Sequence, residues 1–287
     1  MDVPPTDKAL TGCCVAAVQM NSGGDRDANL ATAARLLAEA AQRGARVAVL
    51  PENFSIMAQR DADRRALAEA DSAGPVQDFL ARTAERLKLW IVAGSVPLAN
   101  GPGERIAQAC LVYAASGARA ARYDKIHLFD VELPERAESY RESAHMAPGH
   151  EVVTVDTPAG RLGLSICYDL RFPELYRALQ TAGAQWFVVP AAFTVPTGEA
   201  HWEPLLRARA IENLAYLVAS AQCGLHPNGR STYGHSLVVD YWGRVLTQLP
   251  DGEGVVTAAI DLGAQSEARR KFPALAHRVA SLQGQCT

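Results

Sequence analysis

The apolar run Arg161-Leu-Gly-Leu-Ser-Ile-Cys167 ends in a thiol, and a short polar turn, Tyr168-Asp-Leu-Arg171, separates it from the helix-opening Pro173-Glu174. Strand-to-helix turns of α/β proteins gather ligands and nucleophiles, because the strand fixes a side chain there while leaving it open to substrate. A cysteine so placed can serve as a nucleophile if its surroundings activate it. The bland alternative is a small buried hydrophobe, and Cys13, Cys14, Cys110 and Cys223 read that way, with Cys286 in the tail. What sets Cys167 apart is the charge that follows it: Asp169, Arg171 and Glu174 within seven residues.

Two further charges stand at strand ends. Glu52 closes Val47-Ala-Val-Leu-Pro51; it either caps a helix or a solvated loop, or faces the same crevice as Cys167. In the crevice, partial burial would raise its pKa and let it take and return a proton near neutrality. Lys125, in Arg122-Tyr-Asp-Lys-Ile-His127, is either a surface charge or a stabiliser of a thiolate and of the oxyanion of a tetrahedral intermediate. The seven histidines show no metal-ligand spacing. His127, His201 and His235 fall near these segments and read as hydrogen-bonded packing residues. Gly23-Gly24 lacks the lysine and hydroxyl residue of a phosphate loop.

The elements that must hold these residues alternate. Strands are expected at 14–20, 46–52 and 90–96, at 107–115 and 118–125 joined by a hairpin at Ser116-Gly117, and at 151–157 and 161–167 around Pro158-Ala-Gly160. Further strands are expected at 186–190, 216–222, 234–240, 244–249 and 254–260. Helices are expected at 29–42, from Gly74-Pro75 to Lys88, at 173–181, 199–214 and 262–272. Strand–helix–strand units mixed with hairpins imply an α/β fold with mixed sheets covered by helices. No linker or repeat divides the chain, so residues 13–287 are expected to form one domain after a loose lead-in at 1–12.

Composition narrows the function classes. A formal charge of −3 offers no basic field for nucleic acid or anionic lipid, and no apolar run reaches membrane-spanning length. The N-terminus has no secretory pattern, and the six cysteines have no Cys-x-x-Cys spacing. A zinc site and a disulfide framework are thus disfavoured, and a cytoplasmic location with reduced thiols fits best.

Three separated motifs, Leu50-Pro-Glu52-Asn-Phe54, Tyr123-Asp-Lys125-Ile-His-Leu-Phe-Asp130 and Ile166-Cys167-Tyr-Asp-Leu-Arg-Phe-Pro-Glu174, occur in the order found in the nitrilase, or carbon–nitrogen hydrolase, superfamily. The chain resembles that superfamily from about Val15 to Arg278. Cys167-Tyr-Asp169, Thr197-Gly-Glu-Ala-His-Trp-Glu203, Arg207-Ala-Arg-Ala-Ile-Glu212 and Tyr233-Gly-His-Ser236 with Asp240-Tyr-Trp-Gly243 resemble its Nit amidase branch. Ala221-Gln-Cys-Gly224 is closer to the deaminated-glutathione amidases than to the ω-amidases. The resemblance implies a four-layer α-β-β-α sandwich, a homodimer or larger homo-oligomer, and no cofactor. It implies a catalytic set of Glu52, Lys125 and Cys167. A second glutamate joins them, matched by Glu142, with Glu138 and Glu135 as neighbouring alternatives. An oxyanion site of Lys125 and the Tyr168 amide, and substrate binding by Arg171 and Thr197, complete the expectation; Arg171 otherwise pairs with Asp169 or Glu174. The implied reaction is hydrolysis of a small carboxylate-bearing amide through a cysteine thioester. Deaminated glutathione would give 2-oxoglutarate and cysteinylglycine, a metabolite repair; 2-oxoglutaramate and 2-oxosuccinamate are the alternative substrates. A catalytically inactive scaffold of this fold would have lost one of the three residues, and all are present. Glu199 and Val195-Pro196 depart from the branch's usual pattern, in what reads as a substrate loop.

Overall fold

Alternation is the organising fact of the first sheet. In Cys13–Gln19, Val15 and Ala17 face one core while Ala16 and Val18 face another; Val47 and Val49 oppose Ala48 in the same way, and Cys110 and Val112 oppose Ala109 and Leu111. A strand with both faces apolar must be covered on both. The computed structural model, which describes residues 12–101, 105–133 and 138–279, shows what covers them.

The first sheet runs Gly254–Ile260, Cys13–Gln19, Val47–Val49, Trp90–Val92, Ile106–Tyr113, Val96–Leu98, with Arg119–Asp124 and Met146–Ala147 also paired to Ile106–Tyr113. The second runs Thr154–Thr157, Gly160–Gly163, Trp186–Ala191, Tyr216–Ala221, Ser236–Val239, Val245–Leu249. Each has three consecutive parallel strands at its heart and antiparallel strands beyond. One face of each meets the other sheet, where Val15, Val49, Val218 and Val238 share one core. Ser220 fastens the two together: its Oγ accepts the Val18 N–H at 3.0 Å and donates to the Val49 carbonyl at 2.6 Å.

Helices close the outer faces, giving the expected α-β-β-α layering. On the first sheet lie α1 (Arg26–Gln42) and, after the short α2 (Asp61–Ala66), α3 (Pro75–Leu87). Leu36 and Leu37 of α1 and Leu80 and Ala84 of α3 are fully buried there. Each such leucine contributes about 1.5–3 kcal/mol of apolar transfer. On the second lie α4 (Pro173–Thr181) and α5 (Val195–Asn213), with α6 (Leu262–Lys271) following the last strand.

The structure moves several expected boundaries. Helix α1 begins three residues early because Asp25 caps it, accepting the Asp27 and Ala28 amides at 2.9 and 3.1 Å. Helix α5 begins at Val195, not 199, since Pro196 suits a first turn and Pro204 does not end the helix. The supposed substrate loop at 195–199 is therefore the start of a helix, and Glu199 is exposed. The segment 161–167 leaves the sheet after Gly163, so Cys167 sits four residues past its strand. Cys13 and Cys14 are half-buried rather than core. Most of the lead-in, Cys286 and Glu135 lie outside the described residues, as does the Glu138 side chain.

Candidate active site

Glu52 follows the central strand Val47–Val49, and its backbone is fixed from three sides. The neighbouring Asn53, at φ +58°, donates its N–H to Ser95 Oγ at 2.8 Å; Gln108 Nε2 donates to both Asn53 Oδ1 and Ser95 Oγ at 2.7 Å; Gln222 Nε2 donates to the Glu52 carbonyl at 3.0 Å. Beneath, Gly94 (φ +48°) approaches so closely that a Cβ would fall 2.0 Å from the Pro51 oxygen.

Lys125 comes from the edge strand Arg119–Asp124 and points inward, 2 % exposed. Its ammonium donates to Glu52 Oε1 at 2.9 Å and to Glu142 Oε1 and Oε2 at 3.0 and 2.8 Å. Glu142 is itself oriented by the Phe129 N–H, which donates to its Oε2 at 2.7 Å. The structure thus brings together Glu52, Lys125 and Glu142.

Cys167 opens a one-turn 3-10 segment, Cys167–Arg171, in the left-handed region at φ +48°. Such strain is tolerated where surroundings impose it, and it aims the side chain out of the strand's line. Asp169 does the imposing. Its fully buried carboxylate accepts the Ile166 N–H at 2.8 Å and the Tyr123 hydroxyl at 2.7 Å on Oδ2; on Oδ1 it meets the His127 N–H at 3.0 Å and Nδ1 at 2.7 Å. Tyr123 and His127 are the second neighbours of Lys125, so one carboxylate ties the cysteine turn to the lysine strand. Sequence reading missed it. The available signal was a carboxylate three residues after Ile166, placed to reach back to the turn's first amide.

The protonation states differ from expectation. Burial alone would raise the Glu52 pKa, but the Lys125 charge and hydrogen bond outweigh it and hold the carboxyl below its usual 4.5. Burial pushes the Cys167 thiol well above 9.0, the Glu52 charge adds to this, and the opposing pull of Lys125 and of the Ala192 amide is smaller. Lys125 is displaced upward because its two carboxylates outweigh the cost of burial. These directions favour a neutral Cys167 thiol beside an ionised, lysine-paired Glu52 carboxylate.

A cavity of about 540 Å³ opens on these groups, lined by Glu52, Lys125, Glu142, Cys167 and Tyr168, and by Arg171 and Thr197. Thr197 Oγ1 lies 2.8 Å from Thr194 Oγ1. Arg171 pairs with neither Asp169 nor Glu174. Its Nη1 is 3.2 Å from His201 Nδ1, and its guanidinium lies 5.9 and 5.4 Å from the Tyr168 and Phe193 ring centres. His127 stacks on Phe172 and His235 on Tyr233, both as hydrogen-bonded packing groups.

Sequence reading also missed Arg230, which enters the cavity from the turn between Cys223–Leu225 and Ser231–Tyr233. Its Nη2 donates to the Ala192 carbonyl, and its guanidinium lies 5.2 Å from the Tyr140 ring centre. Only the turn signal Pro227-Asn-Gly229 marked this place in the chain. Among the described residues Cys167 is the cysteine that lines the cavity; Cys13, Cys14, Cys110 and Cys223 do not.

Residues 14–270 match the carbon-nitrogen hydrolase family. The chain is 41% identical over 264 residues to a deaminated glutathione amidase of Yersinia enterocolitica, covering 92% of each. It superposes on the NitFhit protein of C. elegans with a TM-score of 0.86 and 37% identity, covering 95% of this chain and 66% of that one. For Saccharomyces cerevisiae Nit3, of the nitrilase superfamily, the TM-score is 0.82 and the identity 29%, over 92% of this chain and 95% of that one. A matched region spanning nearly all the described residues, together with these relatives, shows that the chain belongs to the carbon–nitrogen hydrolase family, in the Nit branch of the nitrilase superfamily, and is an amidase.

Proposed function

We propose that the chain hydrolyses a small carboxylate-bearing amide through a thioester on Cys167, and that deaminated glutathione is the substrate, giving 2-oxoglutarate and cysteinylglycine. The observation that carries this is the meeting of Glu52, the Lys125 paired to it and Cys167 on one cavity, whose Arg171 has no carboxylate partner among the described residues. The name borne by relatives such as the Yersinia enterocolitica protein supports the choice of amide.

Glu52 takes the thiol proton as the sulfur attacks the amide carbon, then gives it to the departing amine; the C–N bond breaks and the thioester remains. Glu52 next takes a proton from water as the water oxygen attacks the thioester carbon; the C–S bond breaks, the acid is released, and Glu52 returns the proton to the sulfur, restoring the thiol. The oxyanion forms beside Lys125 and the Tyr168 amide. If one ammonium proton is shared by the two oxygens of Glu142 and another serves Glu52, the third is free for substrate. The Tyr168 amide belongs to the first turn of its 3-10 segment, where amides have no intrahelical partner. Losing one such donor costs roughly 3–4 kcal/mol of barrier. Glu142 positions Lys125. Arg171, helped by Thr197, holds the acyl-side carboxylate. All these roles fall to side chains and backbone, without a cofactor. The same proposal has one domain from residue 13, a cytoplasmic enzyme, and a homodimer or larger assembly for which exposed Ile211, Trp242 and Phe272 supply apolar surface.

Cys167→Ala should abolish hydrolysis of deaminated glutathione, followed by mass spectrometry, while circular dichroism stays unchanged; retained activity removes Cys167 as nucleophile. Arg171→Ala should raise KM far more for acyl-carboxylate amides than for neutral ones. A panel that includes 2-oxoglutaramate and 2-oxosuccinamate separates the repair reaction from ω-amide hydrolysis.

A further inference from the structure

The catalytic groups themselves repel an anion. Glu52, Glu142 and Lys125 together carry one net negative charge in a buried place. Two guanidiniums offset it, and they come from different elements. Arg171 projects from the cysteine turn beside His201 of α5; Arg230 projects from the 225–231 turn. Between them runs a row of aromatic rings. Arg171 lies against Tyr168, whose ring centre is 5.1 Å from Phe129; Phe129 is 5.0 Å from Tyr140, and Arg230 lies against Tyr140. The two end rings are therefore about 10 Å apart at most. That limit is the extended span of roughly three amino-acid units.

Arg230 is built to stay in place. Arg60 and Arg141 on the same rim have carboxylate partners in Asp63 and Glu132, whereas Arg230 has none among the described residues, and its buried Nε has no hydrogen-bond acceptor. The turn that carries it is pinned. Buried His226 bonds the Ser22 carbonyl at 2.9 Å and Thr232 Oγ1 at 2.7 Å, its N–H donates to the Arg230 carbonyl at 2.9 Å, and the Arg230 N–H donates to Asn228 Oδ1 at 3.0 Å. The Ala192 carbonyl that receives the guanidinium belongs to the residue whose amide faces the Cys167 sulfur. A rigidly mounted, carboxylate-free guanidinium beside the reacting sulfur is a recognition element for an anion.

We propose that Arg230 binds a carboxylate on the amine half of the amide, so that the site selects substrates whose leaving amine is an amino acid or short peptide over those that release ammonia. This rests on the preceding assignment of Cys167 as nucleophile and of Arg171 to the acyl side, and adds the opposite end of the substrate. A tripeptide-sized dicarboxylate bridges the two guanidiniums; an ω-amide engages Arg171 alone.

The test compares deaminated glutathione with its C-terminal carboxamide, which keeps length and shape and loses one charge. For the unmodified enzyme kcat/KM should be at least about tenfold higher for the acid. In Arg230→Gln the ratio should fall toward one, and Arg230→Lys should restore part of it. Because the readout is a ratio, a general loss of activity from loosening Ala192 leaves it intact. Hydrolysis of acid and carboxamide within twofold of each other, or a ratio that survives in Arg230→Gln, overturns the role of Arg230 and leaves the thioester assignment standing. Hydrolysis of neither by the unmodified enzyme overturns the role of Arg230 and the choice of deaminated glutathione together; the thioester assignment is judged separately by Cys167→Ala on the ω-amides.

Discussion

Asp169→Asn is the sharpest test of how the centre is held. The carboxylate is fully buried and each oxygen serves two partners, Tyr123 and the Ile166 amide on one, the His127 amide and Nδ1 on the other. An asparagine has the same shape but presents an NH2 to one of these pairs. Whichever way it turns, two bonds to a charged acceptor vanish, and a buried backbone N–H, of Ile166 or of His127, faces another donor. Bonds to a charged acceptor contribute about 1.5–3 kcal/mol each, and an orphaned amide costs about 1–3 kcal/mol. These do not simply add, since the chain relaxes; a loss of about 3–5 kcal/mol is expected, as for other broken buried charge networks. Tyr123→Phe removes one donor and leaves the carboxylate, so it should cost about 1.5–3 kcal/mol. Urea unfolding measures both. The change should also reach turnover, because Asp169 joins the turn bearing Cys167 to the strand bearing Lys125, and a misplacement of about 1 Å costs on the order of a hundredfold. The drop should appear in kcat more than in KM, since Asp169 lies behind the cavity wall. A variant within about 1 kcal/mol of the parent, with kcat within twofold, would refute this account of the clamp.

Two further outcomes follow from the same geometry. The Glu52 carboxyl is held below 4.5, so its stabilising contribution is fully present above that unfolded value and is lost as pH falls through the lower folded one. The difference in urea midpoint between the parent and Glu52→Gln should therefore shrink as pH falls below 4.5; a difference that stays constant or grows would contradict the assigned direction. Gly94→Ala meets the Pro51 oxygen at 2.0 Å with φ at +48°, and should cost about 1–3 kcal/mol while slowing turnover through its effect on Glu52. Unchanged stability and kcat would show that the Pro51 turn yields freely.

Much of this was legible in the chain. Strands with both faces apolar, helices opened by Pro75 and Pro173, and hairpins at Gly117 and Gly160 are local signals, and α4 and the strand Gly254–Ile260 fall where periodicity puts them. The three motifs marked Glu52, Lys125 and Cys167. What was not legible depends on distant pairing. The Glu52 pKa reverses direction because a lysine 73 residues away donates to it, and no local pattern reveals that. Arg230 has no helical or strand periodicity around it, and its importance appears only when the hairpin folds onto Tyr140 and Ala192. The antiparallel pair Asp130–Leu133 and Glu138–Arg141 has no counterpart among the expected elements, because half of its residues are charged and no apolar alternation marks it.

The hydroxyl of Ser220, set between Val18 and Val49, has a bearing on when this protein can become reactive. Acid and lysine belong to one β-layer and the sulfur to the other. Neither layer alone contains a competent centre, and an unassembled chain exposes only an ordinary thiol with a pKa near 8.5. On the proposed mechanism, hydrolytic power arises at the closure of the two halves and disappears at their separation, so turnover regained during refolding would report completion of the whole sandwich, with no active fragment along the way.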